Sequence, residues 1–249
     1  SFTGDNLDIC FEDITQGWLL NYESWLRAKG NKETTISIQF RTLRSVYNKA
    51  IKRKCVGKEY YPFEDFHINK FNVHTDKRAI SKNDVLKIIS ADLTGKSEYV
   101  KFSRDIFVFS YLCGGINFCD VASLTKENIL NGRLFYVRQK TGKQINLCLT
   151  KNASAIIDKY YKGGKGFLFP ILDVTRHITA TQRENRLHKV LGQVDKSLKI
   201  VAQIAKVDVN LTTYVARHSY ATVLKRSGVP TSIICESLGH SSERVTQIY

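Results

Sequence analysis

The chain has no methionine among its 249 residues and only three prolines. It lacks a long apolar run and a signal-peptide pattern, which argues against a membrane span or a secreted precursor. Its six cysteines are Cys10, Cys55, Cys113, Cys119, Cys148 and Cys235. They form no Cys-x-x-Cys pair and no Cys/His group with zinc spacing. Most lie in apolar stretches, so buried free thiols in a reducing compartment are expected, and a catalytic cysteine is not. There is no Walker-type phosphate loop for ATP, no carboxylate cluster for Mg²⁺, no internal repeat and no low-complexity segment. No metal and no cofactor is expected. Acidic residues are few beside basic ones: 23 Asp+Glu against 38 Lys+Arg, a formal charge of +15 and a pI near 9.5. A surplus this large points to a polyanionic partner, nucleic acid first and an anionic membrane surface second. What is present suffices for a real core: 43% hydrophobic residues, with 12 Tyr and 13 Phe that argue against disorder.

The apolar periodicity predicts a helix over 14–29, with Trp18, Leu19, Tyr22, Trp25 and Leu26 on one stripe and Gly30 ending it. A second helix runs from after Asn31 to about Lys54. Its apolar face carries Ile36, Phe40, Leu43, Tyr47, Ala50 and Ile51. Arg41, Arg44, Lys49, Lys52, Arg53 and Lys54 decorate the rest. That basic side reads either as a solvated face or as a set of phosphate contacts, and the overall composition tips the balance to the second. From His67 to Ala79 the periodicity fails and a basic linker between two domains is expected. Ser81 then caps a helix, with Asp84 three residues on. Another apolar helix spans about Ser97 to Cys113 and stops at Gly114-Gly115. Residues 133–149 alternate and turn at Thr141-Gly142, which predicts a β-hairpin with Lys140 and Lys143 beside its tip. After a loop near Pro170 the remainder reads as helices. The whole is mainly α with a small β-hairpin or sheet.

The last stretch, "LTTYVARHSYATVLKRSGVPTSIICESLGHSSERVTQIY", gathers the polar chemistry. A helix capped by Thr212 or Thr213 and closed by Gly228 puts Tyr214, Arg217 and Ala221 on one face. Gly239 ends a short helix, leaving His240 at a corner, and Ser241 or Ser242 opens a last helix that carries Tyr249. Taken singly, each of these residues has an ordinary structural role, and the segment also fits a helix-turn-helix of a non-catalytic DNA-binding protein. Taken together they suit a phosphodiester under attack. Arg stays charged and binds phosphate oxygens bidentately. His240 can donate to the same oxygens, with His218 as a helper. A Tyr hydroxyl can act as a covalent nucleophile, and a lysine on the hairpin tip can protonate the leaving oxygen.

These residues resemble the tyrosine recombinases, or phage integrases. "YVARHSYAT" resembles the family's His-x-x-Arg-His box, and "LGHSSERVTQIY" resembles its final box, in which the nucleophilic tyrosine falls on Tyr249. "RQKTGKQINL" resembles the hairpin with the family's lysine, at Lys140. "CGGINFCDVASLT" resembles the first arginine box, with Asp120 on its acidic position. "TTISIQFRTLRSVYNKAI" resembles the DNA-contacting helix of the core-binding domain. Two positions depart from the pattern: Asn117 stands at the first arginine and Tyr214 at the first histidine, as in a branch carried by bacterial mobile elements. Arg138 and Arg104 are candidates to replace the missing guanidinium.

The resemblance implies a helical core-type DNA-binding (SAM-like) domain over 1–75 and a tyrosine-recombinase catalytic domain over 76–249. It implies a site-specific recombinase that cuts and rejoins DNA through a 3′-phosphotyrosyl intermediate, with a type IB topoisomerase as an alternative. The implied catalytic set is Tyr249, Arg217, His240, Lys140, Tyr214 and Asn117. Arg41, Arg44, Lys52, Arg53, Lys143 and His218 would contact DNA. Lys143 is also a rival to Lys140, and Tyr214 reads equally as half-buried core or as a residue that holds Arg217 or contacts a phosphate. Asp120 is expected to hold a basic neighbour or a helix end. The implied partners are double-stranded DNA, a homotetramer on paired sites, and accessory DNA-bending proteins, with no membrane, in the bacterial cytoplasm at the nucleoid. Ser1 opens the chain without Met, so an arm-binding domain before it and a tail after Tyr249 are expected in the longer protein.

Overall fold

The computed structural model describes residues 2–4, 8–73 and 78–249. The chain divides into two compact units, Ser1–Asp76 and Lys77–Tyr249.

The first unit is built on two helices, α1 (Gln16–Ala28) and α2 (Glu33–Lys52). Thr15 starts α1 by accepting the Trp18 amide at 3.2 Å, which satisfies one of the donors a helix start leaves open. Leu19, Leu26, Ile36, Phe40, Tyr47 and Ala50 are buried between the helices and the segment that follows. The Tyr47 hydroxyl lies 2.8 Å from the Phe11 carbonyl and 2.7 Å from that of Tyr60, so one phenol ties both flanking loops to α2. The expected linker from His67 starts too early. Residues 68–70 form a 3-10 turn, and Ile68 and Phe71 are buried in this core. Isolated apolar anchors on an irregular backbone leave no period to read. Residues 74–77 of that stretch lie outside the described residues.

The second unit holds α3 (Lys82–Ser90), α4 (Glu98–Leu112), α5 (Phe118–Ser123), α6 (Lys151–Tyr160), α7 (Ala180–Ile204), α8 (Thr213–Arg226), α9 (Thr231–Ser237) and α10 (Glu243–Thr246). Its sheet is β1 (Ile129–Leu130), β2 (Arg133–Val137) and β3 (Gln144–Cys148), antiparallel in that order. Helix α4 lies at the centre, with Phe102, Ile106, Phe107, Val108 and Phe109 all buried, and it packs against α7 and α8. Its one buried carboxylate, Asp105, is compensated by Lys159 at 2.7 Å, the Tyr160 hydroxyl at 2.8 Å and Arg104 at 3.0 Å. Buried charge is tolerated when it is paired in this way.

The hairpin is present, with Leu134 opposite Leu147 and Tyr136 opposite Ile145. The side chains of Leu134, Tyr136 and Ile145 face the core. The third strand, β1, was not expected. It pairs over Ile129 and Leu130 alone, too short for an alternating pattern to register. Ser81 and Ser97 cap α3 and α4, and Thr179 with Gln182 forms a capping box on α7. No described helix is long and apolar enough to cross a membrane.

Candidate active site

Helix α8 delivers Arg217 into the interior, where it is 2% exposed. Its guanidinium donates to the Gly115 carbonyl at 2.8 Å and to the Leu238 carbonyl. These two acceptors belong to the turn before α5 and to the end of α9. Arg217 therefore ties α8 to a turn 102 residues earlier in the sequence and to a helix end 21 residues later. Gly115, at φ +69°, makes the approach possible because it has no side chain. Burial lowers the Arg217 pKa from its ordinary value, and the neighbouring Arg138 charge adds to this.

Arg138 follows the last residue of β2 and is 5% exposed. It donates to the Gly239 carbonyl at 2.7 Å. Thr141, on the same loop, donates its hydroxyl to that carbonyl at 3.0 Å. The loop is closed at its base by the Arg138 amide on the Lys143 carbonyl at 2.8 Å, with the Gly142 amide on the Arg138 carbonyl at 2.8 Å. Lys140 and Lys143 are both exposed on it. Gly239, at φ +61°, packs so tightly that a methyl group there would fall 2.8 Å from Ile145 Cδ1 and 3.2 Å from Arg138 Cδ. The hairpin and the corner before His240 are thus one packed unit. Arg104, the other candidate second arginine, turns to Asp105 and the Ala91 carbonyl.

His240 is buried, with Nδ1 2.8 Å from the Thr246 hydroxyl. Burial, followed by the charges of Arg217, Arg138, Lys143 and Lys140, pushes its pKa down to about 4. The imidazole is therefore neutral near pH 7. In the tautomer in which Nδ1 accepts from the Thr246 hydroxyl, Nε2 carries the proton and can donate to an oxyanion.

Tyr249 closes the cluster. Its ring lies almost parallel to His240, with centroids 6.1 Å apart and planes at 10°. It is 5.1 Å from the His218 ring, which in turn meets Tyr214 edge-on at 4.5 Å. The Tyr249 phenol lies within electrostatic reach of Tyr214 and Arg217. Burial raises its pKa to about 12, assisted by Tyr214 and opposed by Arg217. Tyr214 itself is 54% exposed, which rules out the half-buried core role.

Asp120, on α5, is buried and accepts the Gln139 amide at 3.0 Å, so it holds the start of the lysine loop. Burial raises its pKa, against the Gln139 amide, Arg138 and Arg217. Asn117 is the N-cap residue of α5 without a side-chain cap bond. It lines an open groove of about 770 Å³ together with Tyr214, Arg217, Gln139 and the α7 residues Arg183 and His188. Among the described residues no group of three or more His, Cys, Asp or Glu could hold a metal ion.

In the first unit, Arg41, Arg44 and Lys52 are exposed on α2, and Arg53 is exposed just after its last residue. Arg41, Arg44 and Lys52, with Lys49, line a shallow depression, and Arg41 is oriented by the Ser37 hydroxyl at 2.9 Å. Sequence reasoning did not find Gln139 or the Gly239 carbonyl, which act through contacts across the fold, nor Thr246, which meets His240 across the corner before α10.

The phage integrase family model matches residues 78–249, and the model of the phage integrase SAM-like domain matches residues 1–72. The chain belongs to the phage integrase family. It is a site-specific DNA recombinase of the tyrosine type. The tyrosine recombinase XerD of Halalkalibacterium halodurans is 24% identical to this integrase over 239 residues, covering 95% of the chain and 77% of that protein. Among solved structures, a lambda integrase dimer bound to a core site superposes with a TM-score of 0.69 at 17% identity, covering 98% of this chain and 82% of the other. The Tn1549 transposon integrase in complex with a circular intermediate DNA gives a TM-score of 0.67 at 18% identity, covering 100% and 85%. At those identities the likeness establishes a shared fold.

Proposed function

We propose that Tyr249 is the nucleophile of this recombinase and that Arg217, Arg138 and His240 form the cradle for the scissile phosphate. The observation that carries this reading is the Tyr249 ring, parallel to buried His240 with centroids 6.1 Å apart, its phenol within electrostatic reach of Arg217. Attack of its oxygen on phosphorus forms a 3′-phosphotyrosyl bond as the P–O5′ bond breaks. The phenolic proton passes to water, and Lys140 gives one to the departing 5′ oxygen. The pentacoordinate transition state gathers negative charge on its non-bridging oxygens. Two guanidinium groups and the Nε2–H of His240 meet that charge without reorganising. Asn117 adds a neutral hydrogen bond from the groove wall, Arg138 supplies the charge that Asn117 lacks, and Tyr214 holds the phenol. The freed 5′-hydroxyl of a partner strand then attacks the phosphotyrosine and releases Tyr249. Bond energy is conserved throughout, so no nucleotide cofactor is needed.

In this reading residues 1–75 bind core-type DNA and residues 76–249 carry the chemistry. Double-stranded DNA is the partner. Arg41, Arg44, Lys52 and Arg53 take phosphates in the first domain, and Lys143 and His218 in the second. Two sites, each cut on both strands, require four nucleophiles, hence a homotetramer on paired sites. Accessory DNA-bending proteins would bring the sites together, and the place of action is the bacterial nucleoid in the cytoplasm. The test is a nicked duplex carrying the attachment site. A protein–DNA adduct should survive denaturation and EDTA and vanish in Tyr249→Phe. Binding without an adduct would leave only a helix-turn-helix-like DNA-binding protein, and relaxation of supercoils without site preference would point to a type IB topoisomerase.

A further inference from the structure

Gln139 precedes Lys140 and is exposed, yet it is fixed to α5 at three points. Its amide donates to Asp120 Oδ1 at 3.0 Å. Its side-chain Nε2 donates to the Cys119 carbonyl at 3.2 Å and to the Ser123 hydroxyl at 2.8 Å. The Ser123 hydroxyl donates in turn to the same Cys119 carbonyl at 3.0 Å, closing a small ring of bonds. The orientation of the Gln139 amide is set by chemistry: a carbonyl oxygen only accepts, so the nitrogen must face Cys119. Helix α5 is a rigid base for these contacts, since Phe118, Asp120, Val121 and Ala122 are all buried. On the other side of Lys140, Thr141 is tied to the Gly239 carbonyl, one residue before His240.

Lys140 therefore sits between two anchored neighbours. A lysine on an unanchored loop would sample many positions, and proton transfer to a leaving oxygen needs the ammonium within hydrogen-bond reach of it. A misplacement of about 1 Å can cost on the order of a hundredfold in rate. We infer that Gln139 is a positioning residue for leaving-group protonation: its side-chain bonds to Cys119 and Ser123 fix the backbone from which Lys140 reaches the 5′ oxygen. This rests on the assignment of Lys140 as the proton donor. In that step the P–O5′ electron pair moves to O5′, which takes a proton from the Lys140 ammonium.

The test uses a suicide duplex carrying a core site that the wild-type protein selects from a random pool, in two forms. One has the normal 5′-bridging oxygen. The other has a 5′-bridging sulfur, which departs as a stable thiolate and needs no proton. Single-turnover cleavage is measured for Gln139→Glu, which keeps the size but loses the donors, and for Gln139→Ala, with Lys140→Ala as the reference. Thermal unfolding and DNA affinity are checked alongside. Both Gln139 variants should cleave the oxygen substrate about tenfold or more slowly, and the sulfur substrate within about threefold of wild type. If Lys140→Ala is rescued by sulfur while the Gln139 variants are unimpaired, or are slowed equally on both substrates, the positioning role is overturned. If Lys140→Ala is itself not rescued, the leaving-group assignment fails, and the role of Gln139 falls with it. Slowing that tracks lost folding or lost DNA affinity would also overturn the proposal.

Discussion

Gly115 and Arg217 are in direct contact: a methyl group on the glycine would fall 2.9 Å from Arg217 Cα and 3.1 Å from its Cγ. Those atoms belong to a helix backbone and a buried stem, and neither can swing aside. The glycine also holds φ at +69°, a region that costs a residue with a side chain about 1–2 kcal/mol. Gly115→Ala should therefore lower stability by about 2 kcal/mol or more, or roughly 4–8 °C in the unfolding midpoint for a domain of this size. Cleavage should fall further than folding does, because the displaced group is the arginine proposed to bind the scissile phosphate. Thermal unfolding and adduct formation on the same preparation check both. Unchanged cleavage would show that Arg217 tolerates movement.

His240 makes stability depend on pH. Its folded pKa is pushed down to about 4 by burial and by Arg217, Arg138, Lys143 and Lys140, against an ordinary value near 6.5. Between those values the unfolded chain binds more protons than the folded one, so stability rises as pH increases from about 4 to 6.5 and is level above it. The raised pKa of Asp120 has the opposite sign, which is why the comparison must be between proteins. Relative to His240→Asn, the wild type should lose more of its unfolding midpoint as pH falls through this window. Parallel curves for the two proteins would refute the linkage.

The sequence made the chemistry more legible than the architecture that holds it. Arg217, His240 and Tyr249 stand out as the proposed catalytic set because transition-state charge and nucleophilic attack restrict the residue types, and helix caps and glycine stops put them on readable faces. The hairpin was readable from its alternation. Arg138 was only one of two arginines that could replace the charge missing at Asn117. What separates it from Arg104 is a bond to the Gly239 carbonyl, 101 residues away. Thr246 as the partner of His240, and the Gln139 ring on α5, depend likewise on packing between elements, and no local pattern encodes them. The first-unit core extends to Phe71 for the same reason, since one buried ring in an irregular segment has no period.

The basic side of α2 offers a test of the DNA contacts. Each phosphate contact contributes about 0.9 to the slope of log affinity against log salt on duplex DNA. Arg44 and Lys52 are exposed and line the same depression. The double variant Arg44→Ala/Lys52→Ala should bind duplex DNA more weakly and reduce that slope by about 2, while leaving the unfolding midpoint within about 2 °C of wild type. Fluorescence anisotropy over a salt titration gives the slope. An unaltered slope would return α2 to the role of a solvated face.

Arg138 and Asn117 make opposite predictions, because one carries charge into the cradle and the other does not. Arg138 is buried against the corner that holds His240, and among the described residues its Nε has no hydrogen-bond partner. A buried donor left open in this way is costly unless a ligand completes it, and a phosphate oxygen is the acceptor proposed for it. Removing one such donor from an oxyanion site costs on the order of a hundred- to a thousandfold in rate. Arg138→Ala should reach that range in single-turnover cleavage. Arg138→Lys should recover little of it, since an ammonium cannot span both the Gly239 carbonyl and a phosphate oxygen. Asn117→Ala, which removes a half-exposed neutral amide, should cost less than about tenfold. The reverse ranking, with Asn117 more damaging than Arg138, would mean that the missing charge is not replaced from the hairpin and that the site works with one guanidinium.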